Sequence, residues 1–302
     1  MIQEPDMIQI PILANRIFMF LLTCSLSFTA IAMDNSMQSD PRAMTIMKKS
    51  FNLKRSRDSL SRLTFTLKEF NKPASRLVFD QVWKEYDHGP YQSKTIYFQD
   101  FPPDRKGISY MGWFPAMKSN AKTEEWLYLP ELRLVRKMGG NEDTEKQAED
   151  AFDRSEMKET DLIPRHPDMD IHHYLREETL KGIHYHVIES KPGHAMGHGA
   201  HAHHHHGGSS RYPYHRVIRW IRTDNFLPVR TDYYDLKNNL LKRQVIEWQK
   251  IGDTWEWKSV VTRNLQNRNE TRLDISNLKI NVGIRDRTFS KRVMKLGFSR
   301  VR

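Results

Sequence analysis

The sequence predicts a mostly β (α+β) protein built on a single curved antiparallel half-barrel sheet of about ten strands, with helices covering the concave face. Three observations predict it. Apolar and polar residues alternate through much of the chain, as in Leu63, Phe65 and Leu67 against Arg62, Thr64, Thr66 and Lys68, which is the period of a half-buried strand. Short turn sequences, Gly252-Asp253 and Lys237-Asn238-Asn239 among them, separate successive runs, and links that short join antiparallel neighbours. About ten strands in that arrangement exceed what a flat open sheet tolerates, so the sheet must curl.

In chain order, the first element is an export leader. Arg16 precedes an apolar run over residues 17–30 that closes on Ala30-x-Ala32, the pattern of a signal peptide spanning residues 1–32. The run is shorter than the roughly 20 apolar residues of a membrane-spanning helix. A retained signal anchor is the competing reading, and Met7 is an alternative start. The mature domain is expected over residues 33–302, in the periplasm. Cys24 is the only cysteine and lies inside the run behind Thr23, a poor setting for acylation. Cleavage therefore leaves no disulfide, zinc thiolate or cysteine nucleophile.

A helix is expected over residues 40–50, with Asp40 as cap, Pro41 in the first turn, and Met44 and Met47 on one face. Strands follow at residues 62–68, 93–98, 108–113, 125–129, 132–138, 183–190, 216–222, 228–235, 242–251, 254–263 and 272–280. Between them, residues 143–161 carry Ala148, Ala151, Phe152, Ser155 and Met157 at near-helical spacing and read as a lid or plug helix over the sheet. Residues 192–215 are a Pro/Gly/Ser/His-rich flexible insertion that cannot form a core of its own. A last helix begins near Asp286 and includes Phe289, Val293 and Met294.

Of 302 residues, 38% are hydrophobic and 28% charged, which suits a globular core, and seven Trp make much of the buried or ligand-facing surface aromatic. Without residues 1–32 the chain keeps 47 basic and 35 acidic side chains, a net charge of +12. That balance suits anionic lipid headgroups or an acidic partner. The export signal argues against nucleic acid as a partner, and because the charge is dispersed along the chain, an ordinary solvated surface is the competing explanation.

Four stretches carry a family resemblance: Asp40-Pro-Arg-Ala, the run from Glu125 through Trp126-Leu-Tyr-Leu-Pro to Lys137, the run from Thr271 to Asn281, and Phe289-Ser-Lys-Arg-Val293. With them the chain resembles the outer membrane lipoprotein-sorting (LolA-like, LolA/LolB/LppX-type) family from Asp40 to Met294. The resemblance implies a half-barrel closed by helices and carriage of lipid or lipoprotein acyl chains between membranes. It also implies a membrane partner, an inner-membrane RND/MMPL- or ABC-type transporter. Two features depart from the family pattern. Residues 153–162 replace a Gly/Ser-rich segment that ends in an acidic-Phe pattern, and the His-rich insertion has no counterpart.

No G-x-S-x-G, P-loop, H-E-x-x-H or G-x-G-x-x-G occurs, so catalysis has no motif to rest on and neither an enzyme nor a cofactor is expected. A carrier needs instead a continuous apolar groove, because each methylene removed from water is worth about 0.8 kcal/mol. Alternate residues on one sheet face supply such a groove. Leu63, Phe65, Leu67, Ile96, Phe98, Trp126, Tyr128 and Met157 are the candidate lining residues, with ordinary core packing as the competing explanation for each. His194, His198, His201, His203, His204, His205 and His206 could bind a divalent metal. They support an alternative reading, a metal-buffering protein; a transporter subunit that binds no lipid is another. His184 and His186 read as the solvent face of their strand, and Trp248, Trp255 and Trp257 as cross-strand packing.

Overall fold

Asp40 opens the fold. Its carboxylate accepts the backbone N–H groups of Arg42 at 2.7 Å and Ala43 at 3.4 Å, and Pro41 occupies the first turn of α1 (Pro41–Phe51). The computed structural model describes residues 38–116, 119–138, 154–162, 164–193 and 212–301. After α1 the chain runs out through β1 (Asp58–Lys68), β2 (Ser75–Glu85), β3 (Tyr91–Phe101), β4 (Ser109–Pro115), β5 (Glu124–Leu129) and β6 (Leu134–Lys137). A short helix α2 (Glu159–Leu162) precedes β7 (Asp170–Leu180), β8 (Ile183–Pro192), β9 (Arg216–Arg222) and β10 (Pro228–Tyr234). The chain ends with β11 (Leu240–Ile251), β12 (Thr254–Asn264), β13 (Glu270–Ile280) and α3 (Lys291–Leu296).

All these strands form one antiparallel sheet of 13 in the order β6-β5-β4-β3-β2-β1-β13-β12-β11-β10-β9-β8-β7. The chain enters at the middle, meanders to one edge, crosses to the other edge and meanders back until β13 lies against β1. The expected turns hold: Ile251 pairs with Thr254 across Gly252-Asp253, with Gly252 at a φ of 61° that the tight turn requires.

Thirteen strands correct the expectation of about ten, because β2 and β7 lack an alternating signature. In β2, Val78 and Phe79 are successive residues and both are buried, one on each face. Apolar residues on both sides erase the two-residue period. β7 is an edge strand whose Arg176, Glu177 and Glu178 read as a loop.

Registers divide the side chains between two faces. Leu63 pairs with Phe79 and Ile275, and Phe65 with Leu77 and Leu273; Leu273 pairs with Val260, and Val260 with Ile246. All of these share one face. Further along it, Ile188 and Ile221 pack against Ala43, Ile46 and Met47 of α1, so this is the α1 face. On the opposite face Val82 pairs with Ile96, Ile96 with Met111, and Met111 with Trp126. There the C-terminal segment supplies Ile284, Phe289, Met294 and Val301 as a lid, sealing a second cluster. Helical segments thus pack on both faces, α1 on one and the C-terminal segment on the other. The last helical stretch is also shorter than expected, a 3-10 turn at Asp286–Thr288 followed by α3.

Candidate functional site

The eight candidate lining residues separate between the faces. Leu63, Phe65, Leu67 and Met157 belong to one cluster on the α1 face, with Phe79, Ile246, Val260 and Leu273. Ile96, Phe98 and Trp126 belong to the other, where Tyr128 packs beside them under the C-terminal segment. Phe79 pairs with Gln99, so Phe98, one residue earlier, points the opposite way from Phe65 and Phe79. The eight cannot line a single groove. An apolar residue on a strand gives the spacing of its neighbours but not which face is open.

On the α1 face the cluster extends into side chains that keep partial exposure: Leu77, Tyr97, Trp248, Trp257 and Ile275. The result is an apolar lane across five adjacent strands, β2, β1, β13, β12 and β11, with Tyr97 of β3 at its edge. At about 4.8 Å per strand it runs roughly 19 Å. Its rings meet edge to face, Phe65 on Phe79 at 6.0 Å between centroids and Trp248 on Trp257 at 6.2 Å. Tyr97 and Tyr110, 6.1 Å apart, continue the aromatic surface toward β4. The cross-strand tryptophan packing expected from the sequence is therefore present in Trp248 and Trp257, and it faces the lane. The indole N–H of Trp248 donates to Pro228 O at 2.8 Å, while that of Trp257 is buried with no partner among the described residues.

A strap crosses this face. Residues 154–158 are not helical, which corrects that part of the expected lid helix; α2 alone is helical, and residues 143–153 lie outside the described residues. Met157 projects from the strap into the lane cluster and is 1% exposed. Polar bonds hold it there. The carboxylate of Glu156 accepts the side-chain amides of Asn264 at 2.8 Å, Asn267 at 3.0 Å and Asn269 at 3.1 Å. Thr271 Oγ1 accepts the backbone N–H of Glu156 at 2.9 Å. Lys242 Nζ donates to Glu156 O at 2.8 Å and to Asp161 Oδ2 at 2.5 Å, and Tyr214 OH donates to Asp161 Oδ1 at 2.6 Å. Burial drives the Lys242 ammonium below the usual lysine range against the pull of Asp161, and raises Tyr214 far above the usual phenol range, reinforced by the Asp161 charge. Sequence reading missed this latch, since Lys242, Tyr214 and Asp161 lie far apart in the chain and meet only through the topology.

His184 is exposed as expected, but His186 is not on a solvent face. It lies on the α1 side, stacked on Phe226 at 6.5 Å and with Nδ1 3.2 Å from Tyr174 OH, beside a cavity of about 450 Å³ under α1. Residues 1–32 and the seven histidines from His194 to His206 lie outside the described residues. Among the described residues no group of three or more His, Cys, Asp or Glu side chains could hold a metal, and no helix is long and apolar enough to cross a membrane.

Comparisons place the chain among known proteins. A family model described as "Uncharacterized protein"-like matches residues 91–296. A DUF1329 family protein from Desulfovibrio piger superposes with a TM-score of 0.68 at 23% identity, covering 85% of this chain and 99% of that one. A domain described as an outer membrane lipoprotein-sorting protein domain, from Vibrio parahaemolyticus, gives a TM-score of 0.65 at 20% identity over 84% and 98% of the two chains. A LolA superfamily protein from Nitrosomonas europaea gives 0.55 at 15% identity over 83% and 98%. No curated protein sequence matches.

Proposed function

Because the chain belongs to the family whose model spans residues 91–296 and has the LolA-like fold, we propose that it is a carrier of lipid or lipoprotein acyl chains. It works outside the cytoplasm and by burial alone. The observation that carries this reading is the lane on the α1 face, apolar over five strands with Tyr97 of β3 at its edge, and still partly open at Leu77, Tyr97, Trp248, Trp257 and Ile275. Its roughly 19 Å exceeds the roughly 15 Å of hydrocarbon in one bilayer leaflet, so one acyl chain fits across it. At about 0.8 kcal/mol per methylene, a chain of a dozen carbons gains enough to be held and little enough to be released to a membrane.

Of the eight candidates, Leu63, Phe65, Leu67 and Met157 stand on this side and form the floor and the plug. Met157 takes the volume an acyl chain would occupy, so loading requires the strap to yield. Export through residues 1–32 would place the carrier in the periplasm, and its cargo would come from or pass to a membrane complex of the RND/MMPL or ABC type. The test is binding of a fluorescent fatty acid to two variants. Ile275→Glu, in the lane, should weaken binding at least tenfold with the circular dichroism spectrum unchanged. Val245→Glu, on the opposite face and 47% exposed, should leave binding alone. Equal binding by both would overturn the assignment of the face.

A further inference from the structure

At the rim of the sheet the exit of α1, the start of β1, the end of β2, the β11–β12 turn and the exit of β13 line an open cavity of about 780 Å³. That volume lies in the ~300–1,000 Å³ range of small-molecule sites. Its lining is charged, and nearly every charge is already engaged. Lys54 pairs with Asp253 and Arg57 with Asp87. Asp58 accepts three backbone N–H groups, from Val282 at 2.7 Å, Gly283 at 3.1 Å and Ile284 at 3.2 Å.

Arg55 is the exception. Among the described residues none of its N–H donors makes a hydrogen bond, its Nε is buried without a partner, and no carboxylate lies within 4.0 Å of it. Glu256 and Glu85 act on it from farther away, and Glu256 is itself occupied by the backbone N–H of Ser56 at 2.8 Å. Burial pulls the guanidinium's pKa below its usual value. Its buried Nε–H without an acceptor is costly, while the Nη groups stay within reach of the cavity, and the cost is recovered when a planar or tetrahedral anion accepts the Nε–H together with an Nη–H. The position is also informative. The guanidinium lies 5.6 Å from the centroid of the Trp248 ring, and Trp248 is a wall of the apolar lane. The lane thus reaches the residue that lines the cavity.

We infer that Arg55 is an anion-binding residue which seats the phosphate or carboxylate headgroup of an amphiphile in this cavity while its acyl chain lies in the lane past Trp248. The inference rests on the carrier reading for the chain and on the cavity for the headgroup, so the experiment separates the two. The full-length protein is titrated with a lysophosphatidic acid, a monoacylglycerol of the same acyl chain, glycerol 1-phosphate and inorganic phosphate. Affinity is followed by tryptophan fluorescence, and the Arg55 Nε–H resonance, identified by its loss in Arg55→Gln, by NMR.

The expected result is at least tenfold tighter binding of the phosphate-bearing amphiphile than of the uncharged one. Arg55→Gln should remove that preference and leave the monoacylglycerol affinity within twofold; Arg55→Lys should restore only part of it, because an ammonium cannot give the two-pronged bond. Competition by glycerol 1-phosphate or inorganic phosphate would identify free phosphate compounds as ligands of the same site; its absence would restrict the site to lipid headgroups. If neither amphiphile binds but a phosphate compound still moves the Arg55 resonance, the carrier reading fails and the site stands. No movement of that resonance by any phosphate-bearing probe, or a headgroup preference that survives Arg55→Gln, overturns the site.

Discussion

Lys242 Nζ lies 2.5 Å from Asp161 Oδ2, with the two side chains 3% and 0% exposed, and this buried pair fastens the strap to the sheet. Removing one partner leaves the other charge buried and alone. Lys242→Met should therefore cost about 3–5 kcal/mol, read as a fall in the urea midpoint. Lys242→Met combined with Asp161→Leu should recover much of the loss, since an apolar pair of similar volume is often tolerated there. A double variant no more stable than the single one would show that the pair is not coupled.

Glu156 gathers three asparagine amides at the β12–β13 turn, a bond set that is reachable by solvent and tethers the strap without building the core. Glu156→Ala should loosen the strap at modest cost, about 1–3 kcal/mol for three lost charge-assisted bonds partly replaced by water. In stopped-flow mixing, a fluorescent fatty acid should associate faster with this variant than with the parent. An unchanged rate would mean that the strap does not limit entry.

Met157 fills the lane, so Met157→Ala opens volume where the acyl chain is placed. As a core truncation it should cost about 2–5 kcal/mol in the empty protein. A saturating fatty acid should return part of that loss as a rise in Tm larger than the parent shows. Equal ligand-induced shifts would separate the Met157 pocket from the ligand.

Much of the sheet was legible in the sequence. Alternation found β1 and most strands from β8 to β13, and the Asp40-Pro41 pair placed α1, because each signal is local. β2 stayed hidden because both of its faces are buried, and β7 because an edge strand carries charges on both sides. The site was half legible for a related reason. Periodicity cannot tell the face of Leu63 and Phe65 from that of Ile96 and Phe98, and only the pairing of Phe79 with Gln99 separates Phe65 from Phe98. The latch of Lys242, Asp161 and Tyr214 and the idle Arg55 are products of topology, which no local pattern encodes.

His172 is fully buried, with Nδ1 2.8 Å from Ser190 Oγ and Nε2 2.9 Å from Pro167 O. Burial lowers its pKa below that of a free imidazole, and the Pro167 carbonyl offsets only part of this. Protonation thus favours the unfolded chain: the stability given by neutral His172 is complete above pH about 6.5 and is lost as pH falls below it toward the lower folded value. The drop in Tm between pH 7.5 and 5.5 should be smaller in His172→Gln than in the parent. Identical drops would assign the pH dependence to other groups.

A photoreactive fatty acid maps the lane most directly. After irradiation of the purified full chain and peptide sequencing by mass spectrometry, adducts should fall on β1, β11, β12, β13 and the strap, around Phe65, Trp248, Trp257, Ile275 and Met157. Adducts confined to Trp126, Tyr128 and the C-terminal segment, or no adduct at saturating probe, would contradict an acyl-binding lane on the α1 face.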